Sequence, residues 1–252
     1  MKINNLEKFK NKINSGHMAL GAYVSFSDSA ISELAAEAGF DFCWIDLEHG
    51  VMTDTDLMNH IIALRGTNCA PIVRVADTSH TRIKRVIDLA PAGIIVPMVN
   101  TAEEARSVVE ACRYPMHGGS RGCGFRRGIG YGSADIGEYI EQSRKDPWVI
   151  IQIEHKDAVK NLDSILAVEG VDSICIGPYD LAASMNKFAK FDDPEVCDTF
   201  DMICAKARAA GVAVGSVGSD VELWKRRGVN WLQVAGDWPT LFNGFKAKIV
   251  AV

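Results

Sequence analysis

No apolar run in this 252-residue chain approaches the ~20 residues that a bilayer-spanning helix needs, which argues against a membrane protein. Extended basic stretches are also missing and the formal net charge is -5, so the electrostatic footprint that nucleic acid or an anionic membrane requires is absent. The seven cysteines are odd in number and include no C-x-x-C pair. They read as buried, reduced thiols and not as a disulfide framework. The opening stretch MKINNLEKFKNKINSG lacks the continuous apolar core of a secretory signal and alternates charge with apolar positions at helical spacing. The expected compartment is the cytoplasm. No Pro- or Ser-rich linker breaks the composition, so residues 1–252 are expected to form one domain, a length within reach of a single α/β barrel. A small molecule is left as the expected partner.

What the chain does contain is ordinary globular composition, 48% hydrophobic and 23% charged, laid out in a repeating order. Eight short β-rich apolar runs recur: ALGAYV, FCWID, PIVRV, GIIVPMV, WVIIQIE, SICIG, VAVGSV and WLQVAG. Helical stretches separate them, several opening on Ser, Thr or Asp and closing on Gly as capped helices do. Continuous apolar strands suit a parallel sheet buried on both faces, so the alternation predicts an α/β fold, a (β/α)8 barrel, with a doubly wound sheet as its rival. Residues 114–132 interrupt the order with seven glycines and no periodicity, and read as a long ordered loop between the fourth and fifth strands. Arg127 stands where G-x-G-x-x-G needs its last glycine, which argues against a dinucleotide fingerprint. Arg121, Arg126 and Arg127 could instead meet an anionic substrate tail, or the loop could pack against a neighbouring subunit.

In a (β/α)8 barrel the residues just past the carboxyl ends of the strands converge on one mouth. The segment DLEHG follows the buried run FCWI and would carry Asp46, Glu48 and His49 there. Arg74 arrives from the third strand, Gln152 and Glu154 from the fifth, and Asp180 from the sixth. Buried charge is costly unless it is paired or put to use, and a shared mouth offers both. Glu154 and Asp180 are hard oxygen donors, and suit a divalent cation that retains waters, such as Mg2+ or Mn2+. The plainer readings are a rim ion pair for Glu154 and a helix cap for Asp180. Arg74 interrupts a β-branched run, so it either pairs with Asp46 or Glu48 or stabilises a developing oxyanion. His49 is the candidate base, because the other histidines fall in helices, loops or the charged run EHKD.

The segments GFDFCWIDLEHG, PIVRV, GIIVPMVNTAEEARSVVEACRYP, SRGCG, IIQIEHKDAVKNLDSIL and VEGVDSICIGPYDLAASM together resemble the HpcH/HpaI family of metal-dependent pyruvate aldolases. The resemblance implies a TIM barrel of the phosphoenolpyruvate/pyruvate-binding type, assembled as a homohexamer, a trimer of dimers, with the last helix swapped between neighbouring subunits. It implies Glu154 and Asp180 as ligands for Mg2+, Mn2+ or Co2+, Arg74 as the arginine that steadies the enolate oxygen, and His49 as the acid/base histidine. Asp88, in RVIDLAPAG, matches the aspartate that orients that histidine, and Asp46 an acidic neighbour of the metal's water. Gln152 and the backbone around Gly177 and Tyr179 match the pocket for the pyruvate end. The chain departs from the commonest pattern at Leu47, where glycine is usual, at Gly50, where alanine is usual, and at Tyr179, where alanine is frequent. The last departure bears on pocket size.

The reaction so implied is cleavage of a 4-hydroxy-2-oxo acid to pyruvate and an aldehyde, or the reverse aldol addition. A Schiff-base aldolase would need a lysine inside the mouth. No strand ends in lysine, and Lys156 is the nearest candidate. A citrate-lyase-like acyl-CoA lyase on the same barrel is the enzymatic alternative, and a non-catalytic 2-oxo acid-binding protein is the other.

Overall fold

A computed structural model describes residues 3–250. Met1, Lys2, Ala251 and Val252, which the expected domain 1–252 includes, lie outside the described residues. The strands are β1 (Ala19–Val24), β2 (Phe42–Asp46), β3 (Ala70–Arg74), β4 (Gly93–Val96), β5 (Trp148–Ile153), β6 (Ser173–Ile176), β7 (Ala213–Val217) and β8 (Trp231–Gly236). Each pairs in parallel with the next, and β8 closes onto β1. Closure decides for the (β/α)8 barrel and against the doubly wound sheet.

The helices are α1 (Leu6–Asn14), α2 (Ala30–Glu37), α3 (Asp54–Ala63), α4 (His80–Ile87), α5 (Ala102–Cys112), α6 (Ile136–Gln142), α7 (Lys156–Lys160), α8 (Leu162–Leu166), α9 (Pro178–Ser184), α10 (Pro194–Ala209), α11 (Val221–Arg227) and α12 (Asp237–Val250). Local chemistry sets their starts. Thr53 and Thr101 form reciprocal capping boxes with Asp56 and Glu104 at the heads of α3 and α5. The stretch read as one helix after β5 breaks into α7 and α8 at Asn161. Strand β4 also stops sooner than the run GIIVPMV suggests, because Pro97 has no N–H to donate and Met98 takes a left-handed backbone, φ 55°. No helix among the described residues is long and apolar enough to cross a membrane.

Side chains alternate across each strand. Phe42, Trp44, Ile72, Ile150 and Trp231 fill the barrel, while Cys43, Ile45, Val73, Ile151 and Ile174 face the helices. Trp231 owes its space to Gly215, where a Cβ would come within 2.0 Å of the indole. Helix α1 closes the amino-terminal end: Phe9 stacks edge-on against Phe42 at 5.5 Å and Trp148 at 5.4 Å. Asn5 donates to the Leu64 and Cys69 carbonyls beside it. One end of the barrel is therefore plugged by aromatic packing, and the chemistry is left to the other.

The glycine-rich loop folds as a 3-10 turn, Pro115–His117, and a kinked segment, Arg127–Gly132, in which Gly130 and Tyr131 take left-handed backbone, ahead of α6. Two of its three arginines point inward. Arg121 is buried, donates to Tyr139 Oη at 2.8 Å and the Ile87 carbonyl at 3.2 Å, and lies over the Tyr114 ring at 4.6 Å. Arg127 is buried too and donates to the Leu89 carbonyl at 2.8 Å. The anionic-tail reading is replaced for both: they tie the loop to the carboxyl end of α4, whose carbonyls attract a cation. Arg126 is exposed.

Candidate active site

At the carboxyl ends of the strands the inward positions turn polar. Strands β2 and β3 pair in a register that makes Asp46 and Arg74 direct neighbours on the inner face. The result is a two-pronged ion pair, Nε to Oδ1 at 2.7 Å and Nη2 to Oδ2 at 2.9 Å. Nη1 also lies 2.9 Å from Glu48 Oε2. The pairing left open by the sequence thus exists with both carboxylates, yet it does not exhaust the guanidinium. Of the five N–H groups an arginine carries, only two donate hydrogen bonds to Asp46, and the guanidinium lies over Trp44 at 5.2 Å.

Asp46 is fully buried and further accepts from Tyr23 Oη at 2.5 Å, Glu48 N at 3.1 Å and His49 N at 3.2 Å. Burial alone would raise its pKa. The Arg74 hydrogen bonds and charge, with the Tyr23 and Glu48 donors, reverse this and hold it below the ordinary carboxylate value. Asp46 is an anchor: it fixes Arg74 and the chain leading to His49.

Glu154 follows β5 and is 3% exposed. Its Oε1 accepts the Met98 N–H at 2.7 Å, and its Oε2 accepts from Gln152 Nε2. The left-handed turn at Met98 is what aims that N–H. Among the described residues no Lys or Arg forms an ion pair with Glu154, so the rim-pair reading does not hold. Burial pushes its pKa up to about 7, with the Met98 amide pulling it back and the charges of Glu48 and Asp180 adding to the rise. Gly177 must be glycine, since a Cβ there would meet Glu154 Oε2 at 2.8 Å and Gln152 Nε2 at 3.0 Å. Asp180 is exposed in the first turn of α9, whose N-cap is Gly177 with no side-chain cap, so the cap reading of Asp180 also falls away.

A buried carboxylate crowded by two others, with no fixed cation paired to it, fits a divalent ion. Among the described residues no three His, Cys, Asp or Glu side chains stand close enough to enclose one. The charges of Glu154 and Asp180 meet at the mouth, and hard oxygen donors of that kind suit a cation completed by water and substrate better than a closed zinc site.

His49 is exposed, with Nε2 3.6 Å from Glu48 Oε2. Asp88 is not beside it. Its carboxylate caps the region of Arg121, 3.9 Å away, and crowds Gly124, and no hydrogen bond or ion pair joins it to His49 among the described residues. Lys156 is exposed at the head of α7, and among the described residues no lysine lines the mouth. The mouth itself is a cleft of about 510 Å³ whose walls include Tyr23, His49, Arg74, Gln152, Gly177, Tyr179 and Asp180.

Sequence reasoning missed Tyr23, Trp44 and Met98. Counting by twos from Ala19 along β1 would have put Tyr23 on the inner face. Nothing in the sequence marks the Met98 turn.

The chain is similar to known proteins over most of its length. Residues 19–235 match the family model described as HpcH/HpaI aldolase/citrate lyase. The chain is 34% identical over 245 residues to a hydroxypyruvate/pyruvate aldolase of Roseobacter denitrificans, covering 96% of this chain and 95% of that one. It is 36% identical over 234 residues to a 2-keto-3-deoxy-L-rhamnonate aldolase of Salmonella gallinarum, covering 91% and 86%. The solved HpcH/HpaI aldolase of Desulfitobacterium hafniense superposes with a TM-score of 0.88 at 27% identity, covering 96% and 95%.

Proposed function

Because the chain belongs to the HpcH/HpaI aldolase/citrate lyase family and is an aldolase, we propose that it cleaves a 4-hydroxy-2-oxo acid to pyruvate and an aldehyde, and runs the reverse addition. The observation that carries this is Arg74, locked by two carboxylates at the lip of the cleft with N–H groups left over. A divalent cation held by Glu154 and Asp180 would supply Lewis-acid polarisation of the 2-oxo carbonyl. The chain's own residues do the rest. Arg74 offers its remaining donors to the oxygen on which charge builds as C3–C4 breaks, and its rigid pairing means that little reorganisation is needed then. His49 takes the proton of the C4 hydroxyl, with Glu48 Oε2 3.6 Å from its Nε2. Gln152 and the backbone at Gly177 and Tyr179, which line the cleft, seat the pyruvate end. Asp46 acts through Arg74.

Within one chain Asp88 stands away from His49, so it orients that ring only if the histidine belongs to a second chain. Assembly as a homohexamer with α12 exchanged is supported by the face of that helix. Phe242, Phe245 and Ile249 recur at helical spacing and are 60%, 69% and 75% exposed. We place the enzyme in the cytoplasm, where its seven free thiols would stay reduced. Residues 1–252 then act as one catalytic domain.

The test is a panel of 4-hydroxy-2-oxo acids assayed for pyruvate release with and without added Mg2+, Mn2+ or Co2+. Release from at least one member, dependent on the cation, is expected. Cleavage of acyl-CoA substrates alone would favour the lyase alternative instead.

A further inference from the structure

Beside the mouth lies a second cavity of about 220 Å³, walled by Phe191, Phe200, Leu223 and Trp224 and edged by Arg227. The cleft and this cavity share Pro178, Tyr179 and Val217. Of the three, only Tyr179 has a side chain large enough to stand between two spaces. Its ring is braced edge-on against Phe191, centroids 4.8 Å apart, with Phe188 at 6.3 Å on the same cluster.

The side cavity is not an anion site. Arg227 donates to Asp201 at 2.8 Å and lies over the Phe200 and Trp224 rings at 5.4 and 5.2 Å, so its charge is already matched and its flat face is covered. Asp220 is engaged as the cap of α11, accepting from the Leu223 N–H at 2.9 Å, and Ser219 beside it is exposed; the other walls offer apolar contact. The volume falls below the ~300 Å³ at which pockets begin to hold drug-sized ligands, which leaves room for one alkyl chain or one aromatic ring.

Resting on the aldolase reading of the mouth, we infer that Tyr179 is the specificity-determining wall at the aldehyde end: its ring shuts the cleft off from an apolar side cavity and confines the acceptor to short chains. Removing the ring opens a subsite for an apolar tail. The effect belongs to the ring's bulk, because the wall needs no hydroxyl.

The experiment measures kcat/KM for aldol addition of pyruvate to hexanal and to glycolaldehyde, and takes their ratio within each variant so that any general loss cancels. Tyr179→Ala should raise the hexanal-to-glycolaldehyde ratio at least ~10-fold, the scale on which apolar pockets discriminate added methylenes. Tyr179→Phe should leave the ratio where it is. Leu223→Trp, which fills the side cavity, should not move the ratio in the otherwise unchanged enzyme and should cancel the gain when combined with Tyr179→Ala. An unmoved ratio in Tyr179→Ala, or a gain that survives Leu223→Trp, would overturn the wall. Turnover of glycolaldehyde by the unaltered enzyme is read first. Its absence sinks the aldolase reading and the wall together, whereas turnover with an unmoved ratio sinks the wall alone.

Discussion

Two arginines, Arg74 and Arg121, are almost equally buried and both lie over aromatic rings, yet the regions around them do different things. Arg74 meets two carboxylates and opens on the cleft. Arg121 meets a carbonyl and a phenol, reaches Asp88 only at 3.9 Å, and has its Nε and Nη1 sealed in without a hydrogen-bond partner among the described residues. A buried guanidinium is thus no sign of a functional site in itself. What separates the two is whether the unengaged N–H groups face a space that a substrate can enter.

The largest effect expected is at the mouth's own carboxylates. Glu154→Gln should lower kcat for pyruvate release by ~1000-fold or more if Glu154 holds the proposed cation, whose charge stabilisation is worth several kcal/mol. Exhaustive chelation should do the same and Mn2+ should reverse it. Full activity in metal-free buffer would erase the distinction between the two regions drawn here.

Next come the two arginines exchanged for lysine, each keeping its charge and losing its planar fork. Arg74→Lys should cost kcat about 100-fold, the scale of one lost preorganised donor, with a much smaller change in KM. Arg121→Lys should leave kcat nearly unchanged and cost about 1–3 kcal/mol of stability through its lost hydrogen bonds and ring contact, which for a chain of this size lowers Tm by a few degrees. Steady-state kinetics and thermal melts on the same pair decide it. The comparison breaks if the kinetic loss falls on Arg121.

The smallest effect is at Asp88. Burial raises its pKa, with Arg121, Lys84 and Arg126 pulling it back. A carboxyl whose folded pKa is raised contributes its stability at acid pH and loses it as the pH climbs through the raised value, so at neutral pH its charge is a small cost. Asp88→Asn should therefore change stability by no more than about 0.5 kcal/mol. A fall in kcat without a fall in stability would show Asp88 reaching the histidine of a second chain.

The barrel was legible because strand-length apolar runs recur eight times with helical stretches between them, and repetition of that kind has few solutions. Most of the mouth was legible for the same reason, since Asp46, Arg74, Gln152 and Glu154 all sit at strand ends. What was not legible depends on packing between distant segments. Arg121 and Arg127 lie within a few residues of the exposed Arg126 and look like it in sequence, but the rings of Tyr114 and Tyr139 draw Arg121 inside and the Leu89 carbonyl holds Arg127. Tyr23 carries no charge to flag it, and only the closure of β1 against β2 brings its hydroxyl to Asp46. The early end of β4 was half visible in Pro97, but the turn at Met98 was not.

The central claim is that Arg74 steadies charge on a pyruvate-derived oxygen. Exchange of the pyruvate methyl protons with deuterium, followed by NMR in D2O with added Mg2+, isolates that step because it needs no aldehyde. The account predicts ready exchange in the unaltered enzyme and in Arg121→Lys, and exchange suppressed by about 100-fold in Arg74→Lys. Exchange that proceeds undiminished in Arg74→Lys would contradict it.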